Sequence, residues 1–146
     1  DYCNGLYFGT SNAVTKQLQH IQNRACATIF GLKRKESKKE HLQKLHWLPT
    51  LERIEFKIIL LVYKALNGLA PAYISELIHF NAIIGSRSPS LRTYISKSYL
   101  GDRAFICCAA KLWNALPTEI RECPFGINVF KLRLKTHLFK RAYNIL

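Results

Sequence analysis

The feature of this sequence that most constrains its fold is one long apolar segment, LHWLPTLERIEFKIILLVYKALNGLAP, at residues 45–71. Thr50 is a suitable N-cap for a helix, since its hydroxyl can accept a hydrogen bond from the first turn. Asn67 or Gly68 can adopt the left-handed conformation that ends a helix, and Pro71 cannot continue it. Between these ends apolar side chains cover most of the helical surface, so other elements are expected to surround it. The segment predicts a central helix against which the rest of the chain packs.

Two helices are expected before the central helix. Residues 13–30 keep helical spacing and end at Gly31, which predicts an amphipathic helix. The apolar positions expected to face the core are Val14, Leu18, Ile21, Ala25 and Ile29. A short helix or turn is expected at 41–48. Its Trp47 is interpreted as a core anchor rather than a platform for stacking bases, because leucines flank it.

The second half of the chain predicts three more helices and one loop. One helix follows the central one, one begins near Asp102, its expected N-cap, and one covers residues 126–144. Residues 81–100 contain a glycine, a proline and five serines, a composition typical of a loop. The expected fold class is all-α: a compact helical domain of about five to six helices with one long irregular loop near 80–100.

The length of 146 residues fits a single domain, 1–146. The chain contains no methionine, so we expect a fragment of a larger polyprotein or a processed chain. Five cysteines without a secretory signal favour reduced thiols in an intracellular protein, with the nucleus and the cytoplasm both open. The apolar run Ile58–Tyr63 is far shorter than the ~20 residues that cross a bilayer, so no membrane association is expected.

The charge balance is strongly basic, because 22 Lys and Arg oppose 9 Asp and Glu for a formal net charge of +13. Such a field attracts nucleic acid or an anionic surface, and the composition favours nucleic acid over a merely basic surface. The residues expected to contact phosphates are Arg24, Lys33, Arg34, Lys35, Lys38, Lys39, Lys131, Arg133 and Lys135. Alternatively, the run at 33–39 is a solvated connection, and the cations of the last helix partly complement its dipole.

The sequence has none of the patterns expected for catalysis or metal binding. Polymerases and nucleases that use two metal ions need clustered carboxylates, but the only aspartates are Asp1 and Asp102. The chain has no glycine-rich phosphate loop, no Gly-x-Ser-x-Gly and no Cys-x-x-Cys. His41 and His46 are five residues apart, which does not place them on one helical face. We therefore expect no cofactor, no metal site and no enzyme that acts alone.

Several motifs occur in series along the chain. They are LQHIQNRACATIFG at 18–31, HWLP at 46–49, YKALNG at 63–68, LWNALP at 112–117 and FKLRLKTHLF at 130–139. In this order and spacing they resemble the carboxy-terminal part (the thumb and the region downstream) of the reverse-transcriptase polyprotein of non-LTR, LINE-type retrotransposons of the Jockey- and Rex-like lineages. The resemblance covers nearly the whole chain. It implies helices that grip template and primer, and it implies the remainder of the parent reverse transcriptase as a partner.

Charge and resemblance together lead to two functions of different classes. The first is a non-catalytic module that binds the backbone of RNA or of an RNA–DNA hybrid with little sequence preference. The second is a structural or protein-interaction piece of the parent polymerase, whose exposed apolar patches would be part of an interface. A transposon relic without selected activity is a third possibility.

Overall fold

A computed structural model describes residues 3–33, 35–81, 90–122, 124 and 126–145. The fold is all-α, as predicted. The described residues form a 3₁₀ turn at Asn4–Tyr7 and eight helices: α1 (Asn12–Phe30), α2 (Lys39–Lys44), α3 (Thr50–Leu66), α4 (Ala72–Ser75), α5 (Tyr99–Asp102), α6 (Phe105–Asn114), α7 (Thr118–Arg121) and α8 (Gly126–Tyr143). The two helices that the sequence pattern does not predict, α5 and α7, have only 4 residues each, too few to show a helical period.

Helix α3 is the central helix, as its apolar surface predicts. It packs against α1, α4, α6, α8 and the 3₁₀ turn. Its buried side chains are Ile54, Ile58, Ile59, Val62, Tyr63 and Ala65. The helix ends as expected, with Gly68 at a left-handed φ of 67°. There the Leu69 N–H donates to the Lys64 carbonyl at 2.8 Å, which satisfies one of the last free carbonyls of the helix.

The N-terminus of α3 is capped by α1, so the prediction of Thr50 as N-cap is wrong. Pro49 occupies the cap position and Thr50 is the first residue of the helix. The Thr50 N–H donates to Oε1 of Gln19 at 2.9 Å, and its hydroxyl donates to Oε1 of Gln22 at 3.4 Å. Both glutamines lie on α1, so one helix supplies the acceptors that the N-terminus of another requires.

The main core lies between α3, α6 and α8. Tyr63 of α3 stacks on Phe130 of α8 with ring centroids 4.0 Å apart, and Trp113 of α6 stacks on the same phenylalanine at 6.0 Å. Stacked aromatic pairs at these distances add to the stabilisation that burial provides. A second, smaller cluster joins Cys26 of α1, Leu42 of α2 and Tyr143 of α8. Helix α8 therefore contributes to both clusters.

The buried face of α1 differs from the predicted one by one position. The buried residues are Gln22 and Cys26, whereas Ile21 is 64% exposed and Ile29 is 56% exposed. The predicted inward face is therefore wrong at Ile21, Ala25 and Ile29, which are exposed, whereas Val14 and Leu18 are half-buried. The cause is the Gln22 amide, whose Nε2 donates to the Leu48 carbonyl at 2.8 Å. Because this hydrogen bond offsets the cost of burying a polar side chain, Gln22 can face the core. The buried face of α1 is therefore rotated by about 100° around the helix axis from the predicted face.

The predicted loop near 80–100 is irregular where the structure describes it, and residues 82–89 lie outside the described part. Leu91 forms an isolated antiparallel bridge with Phe80 and is only 1% exposed. The side chain of Asn114 fixes it, because Nδ2 donates to the Leu91 carbonyl and Oδ1 accepts from the Leu91 N–H, both at 2.8 Å. These bonds tie the loop to the end of α6.

The loop ends earlier than predicted, because α5 begins at Tyr99. The N-cap of α5 is Ser98, whose hydroxyl accepts a hydrogen bond from the Gly101 N–H at 3.0 Å. Asp102 is the last residue of α5, and Ala104 stands at the cap of α6. The prediction of Asp102 as N-cap is therefore wrong, since a serine upstream starts a separate turn of helix.

Candidate nucleic-acid interface

The predicted basic run between α1 and α2 forms a folded loop. The Lys38 ammonium donates to the Lys33 carbonyl at 3.0 Å and also to the Glu36 carbonyl. The Lys33 N–H donates to a Glu36 carboxylate oxygen at 3.2 Å. Lys33, Lys35 and Lys39 are exposed, and Lys38 is half-buried. Lys38 therefore organises the loop, while the exposed lysines direct their charges outward.

Two other predicted contacts stand apart from this loop. Arg34 lies outside the described residues. Arg24 is on the exposed surface of α1, about two turns before the end of that helix. Its position is consistent with a peripheral phosphate contact, but no described contact joins it to the cations of α8.

The predicted cations of α8 do not form one group. At about 100° per residue, Arg133 and Lys135 are about 200° apart around the helix. Arg133 Nη1 donates to the Glu119 carbonyl of α7 at 3.3 Å. Lys135 is exposed and lies on the side that faces the segment between α2 and α3. Lys131, half-buried and one turn earlier, shares the flank of Lys135.

Lys135 meets two cations of the central helix in a cleft of about 440 Å³. We name this the basic cleft; its lining residues are His46, Trp47, Leu48, Arg53, Phe56, Lys57 and Lys135. Arg53 and Lys57 are one helical turn apart on α3 and so present their charges on one face. Among the described residues that line the cleft, none carries a carboxylate. Cations that line a cleft with apolar walls concentrate the positive potential there.

The acids of α3 do not cancel this potential. Glu55 is largely buried and forms an ion pair with Arg141 of α8. Glu52 lies in a different cleft, together with Lys38 and Lys39. Burial raises the pKa of the Glu52 carboxyl above its ordinary value. Neither acid therefore belongs to the lining of the basic cleft.

Trp47 contributes both to packing and to the basic cleft. Its side chain is half-buried and packs against the smaller cluster, in agreement with its interpretation as a core anchor. Its carbonyl accepts a hydrogen bond from the Tyr143 hydroxyl at 2.7 Å. Burial, and to a smaller extent Glu52 and Cys26, raises the pKa of Tyr143 to about 12, so the donor stays protonated in ordinary buffers. This hydrogen bond fixes one wall of the cleft.

The cleft and the basic loop lie at opposite ends of α2. Six residues of helix separate them by about 9 Å, a distance that a few nucleotides of a single strand can span. A single strand that follows α2 can therefore contact both. The sequence prediction had identified Lys135 and the loop but not Arg53, Lys57 or His46. The signal in the sequence is the four-residue spacing of Arg53 and Lys57, which places two cations on one face of a mostly apolar helix.

A second cleft, larger than the basic cleft, is apolar and lies elsewhere. It has a volume of about 850 Å³ between the 3₁₀ turn, α3, α4, α5 and α6. We name it the apolar cleft; its rim includes the exposed side chains of Leu6, Tyr73 and Leu100. Lys57 lines both this cleft and the basic cleft.

The described residues contain no group of three or more His, Cys, Asp or Glu that could hold a metal ion. Burial raises the pKa of the Cys26 and Cys108 thiols, which disfavours the nucleophilic thiolate. None of the helices in the described ranges has both the length and the apolar character that crossing a membrane requires.

Comparison with protein-family models, curated proteins and solved structures found no match to this chain. The resemblance to non-LTR reverse transcriptases therefore stays a prediction from the motifs alone.

Proposed function

We propose that this domain binds the phosphate backbone of nucleic acid in the basic cleft, as a non-catalytic part of a LINE-type reverse transcriptase. The observation that carries the proposal is the convergence of Arg53 and Lys57 of α3 with Lys135 of α8. In this proposal the ligand is RNA or an RNA–DNA hybrid, the protein is intracellular, and catalysis belongs to the remainder of the parent polymerase.

The physical basis is the release of counterions from neutralised phosphates. Three phosphates on a single strand give a slope of about −2 for log affinity against log salt. If the exposed lysines of the loop at 33–39 also make contact, three more phosphates steepen the slope to about −4. Because the contacts are to the backbone, affinity should change little with sequence.

The test is a fluorescence anisotropy titration of a labelled RNA strand at several salt concentrations. The cleft variant carries Lys57→Gln and Lys135→Gln. A control with the same net charge carries Lys97→Gln and Lys140→Gln, two exposed lysines outside the cleft. We expect the slope of log affinity against log salt to be less steep by about 1.5 in the cleft variant than in the native protein. In the control the slope should change much less. Equal losses in the two variants would show that the general field, not the cleft, binds the ligand.

The apolar cleft favours a second candidate, an interaction with the remainder of the parent polymerase. Leu6, Tyr73 and Leu100 are each more than two-thirds exposed around it (73%, 67% and 72%). Among the described residues that line this cleft, Lys57 and Arg103 carry charge and none is acidic, which suits an amphipathic helix with an acidic flank. Hydrogen exchange tests this candidate: the 3₁₀ turn, α4 and α5 should be protected in the longer polypeptide and not in the domain alone.

A further inference from the structure

His46 has a backbone conformation that favours glycine. Its φ is 53°, in the left-handed region, and the following Trp47 N–H donates to the Leu42 carbonyl at 3.0 Å, which closes the end of α2. The same pattern of hydrogen bonds closes α1 and α3, where the left-handed residues are Gly31 and Gly68. A histidine at this position is strained where glycine is not. The end of α2 therefore carries an imidazole where the ends of α1 and α3 carry no side chain.

The ring of His46 has one covered and one accessible face. It stacks on Phe139 of α8 with centroids 5.7 Å apart and an interplanar angle of 14°. The residue is nevertheless exposed, and it lines the basic cleft beside Trp47. Since Phe139 lies against one face of the ring, we infer that the opposite face contributes to the exposed surface of His46 in that cleft. A flat π surface beside cations is the arrangement on which nucleic-acid bases stack.

We propose that His46 stacks on an unpaired base while Arg53, Lys57 and Lys135 hold the flanking phosphates, so that the preferred ligand is single-stranded nucleic acid. The inference rests on the proposed function, because the cations must bring a backbone into the cleft. In a duplex the bases cover each other's faces, whereas a single strand offers them to a side chain. Since every base has a π face, the site selects unpaired strands rather than a sequence.

The experiment compares two strands by fluorescence anisotropy: a short labelled oligouridylate, and the same strand with abasic residues at its centre. Native protein should bind the base-containing strand about tenfold more tightly, the usual effect of one stacked base. In His46→Gly this difference should disappear while the salt slope is unchanged. Its melting temperature should stay the same or rise, because glycine relieves the left-handed backbone.

Asn144→Gly is the matched control. Asn144 also has a φ of 53° and ends a helix, since the Ile145 N–H donates to the Lys140 carbonyl at 3.0 Å. This variant should keep the tenfold preference. If native protein binds both strands equally but with a steep salt slope, stacking is refuted and phosphate binding stands. If His46→Gly loses affinity equally for both strands, stacking is also refuted. Absence of salt-dependent binding to either strand refutes the proposed function itself.

Discussion

The attachment of α1 to α3 depends on Gln22, and we expect Gln22→Met to weaken it. Gln22 is 8% exposed, and its Nε2 donates to the Leu48 carbonyl at 2.8 Å. Methionine has nearly the same length and shape but cannot donate, so it leaves a buried carbonyl without a partner. That loss costs about 1–3 kcal/mol, and the weaker hydrogen bond from Thr50 is lost as well.

Part of this cost is recovered, because a thioether is more favourably buried than an amide, by about 1 kcal/mol. The net decrease in the free energy of unfolding is about 1–2 kcal/mol. For a domain of this size that lowers the melting temperature by about 3–8 °C.

The assay is thermal and urea unfolding, followed by the helical circular dichroism signal. Gln17→Met is the control, since Gln17 is exposed on the same helix and its replacement should change stability by less than about 0.5 kcal/mol. If the two variants unfold at the same midpoint with the same urea dependence, the Leu48 carbonyl is satisfied by another group. The argument that α1 is oriented by Gln22 would then be wrong.

Two further predictions concern the contacts that close the fold. Burial raises the pKa of Tyr143 to about 12 from the ordinary value of 10.0 for a tyrosine hydroxyl. The folded state therefore holds the hydroxyl proton more tightly than the unfolded state does. The melting temperature should be unaffected by this group below about pH 10 and should fall between about pH 10 and 12. Tyr143→Phe should reduce that fall. Asn114→Ala removes both hydrogen bonds to the buried backbone of Leu91 and should cost about 1–3 kcal/mol in urea unfolding. Asn128→Ala, at an exposed position of α8, is its control, and equal midpoints would contradict the assigned role.

The central helix could be predicted because its signals are local. An apolar surface, a glycine at position 68 and a proline three residues later define α3 without reference to the rest of the chain. The face of α1 could not be predicted in that way. Its orientation depends on a hydrogen bond between Gln22 and Leu48, 26 residues away, and hydrophobic spacing contains no information about such a partner.

The candidate site was predicted only in part, for a similar reason. Dense runs of lysine and arginine are visible in the sequence, and Lys135 was identified from one of them. The partners of Lys135 are Arg53 and Lys57, which lie on a mostly apolar helix and belong to no run of cations in the sequence. Their convergence depends on how α3 packs against α8, which is a tertiary property.

Helix α8 also determines when the fold can form. Its Phe130, Leu134 and Leu138 are fully buried in the main core. The hydroxyl of its Tyr143 donates a hydrogen bond to the carbonyl of Trp47, 96 residues earlier in the chain. During synthesis α3 emerges long before α8, so the part of its apolar surface that α8 covers stays exposed until the chain through residue 143 has left the ribosome. Contacts between such distant segments slow folding and prolong the exposure of that surface. We therefore expect the nascent chain to fold late, with both clusters forming together when α8 packs against the rest of the domain. Until then we expect the chain to depend on chaperones.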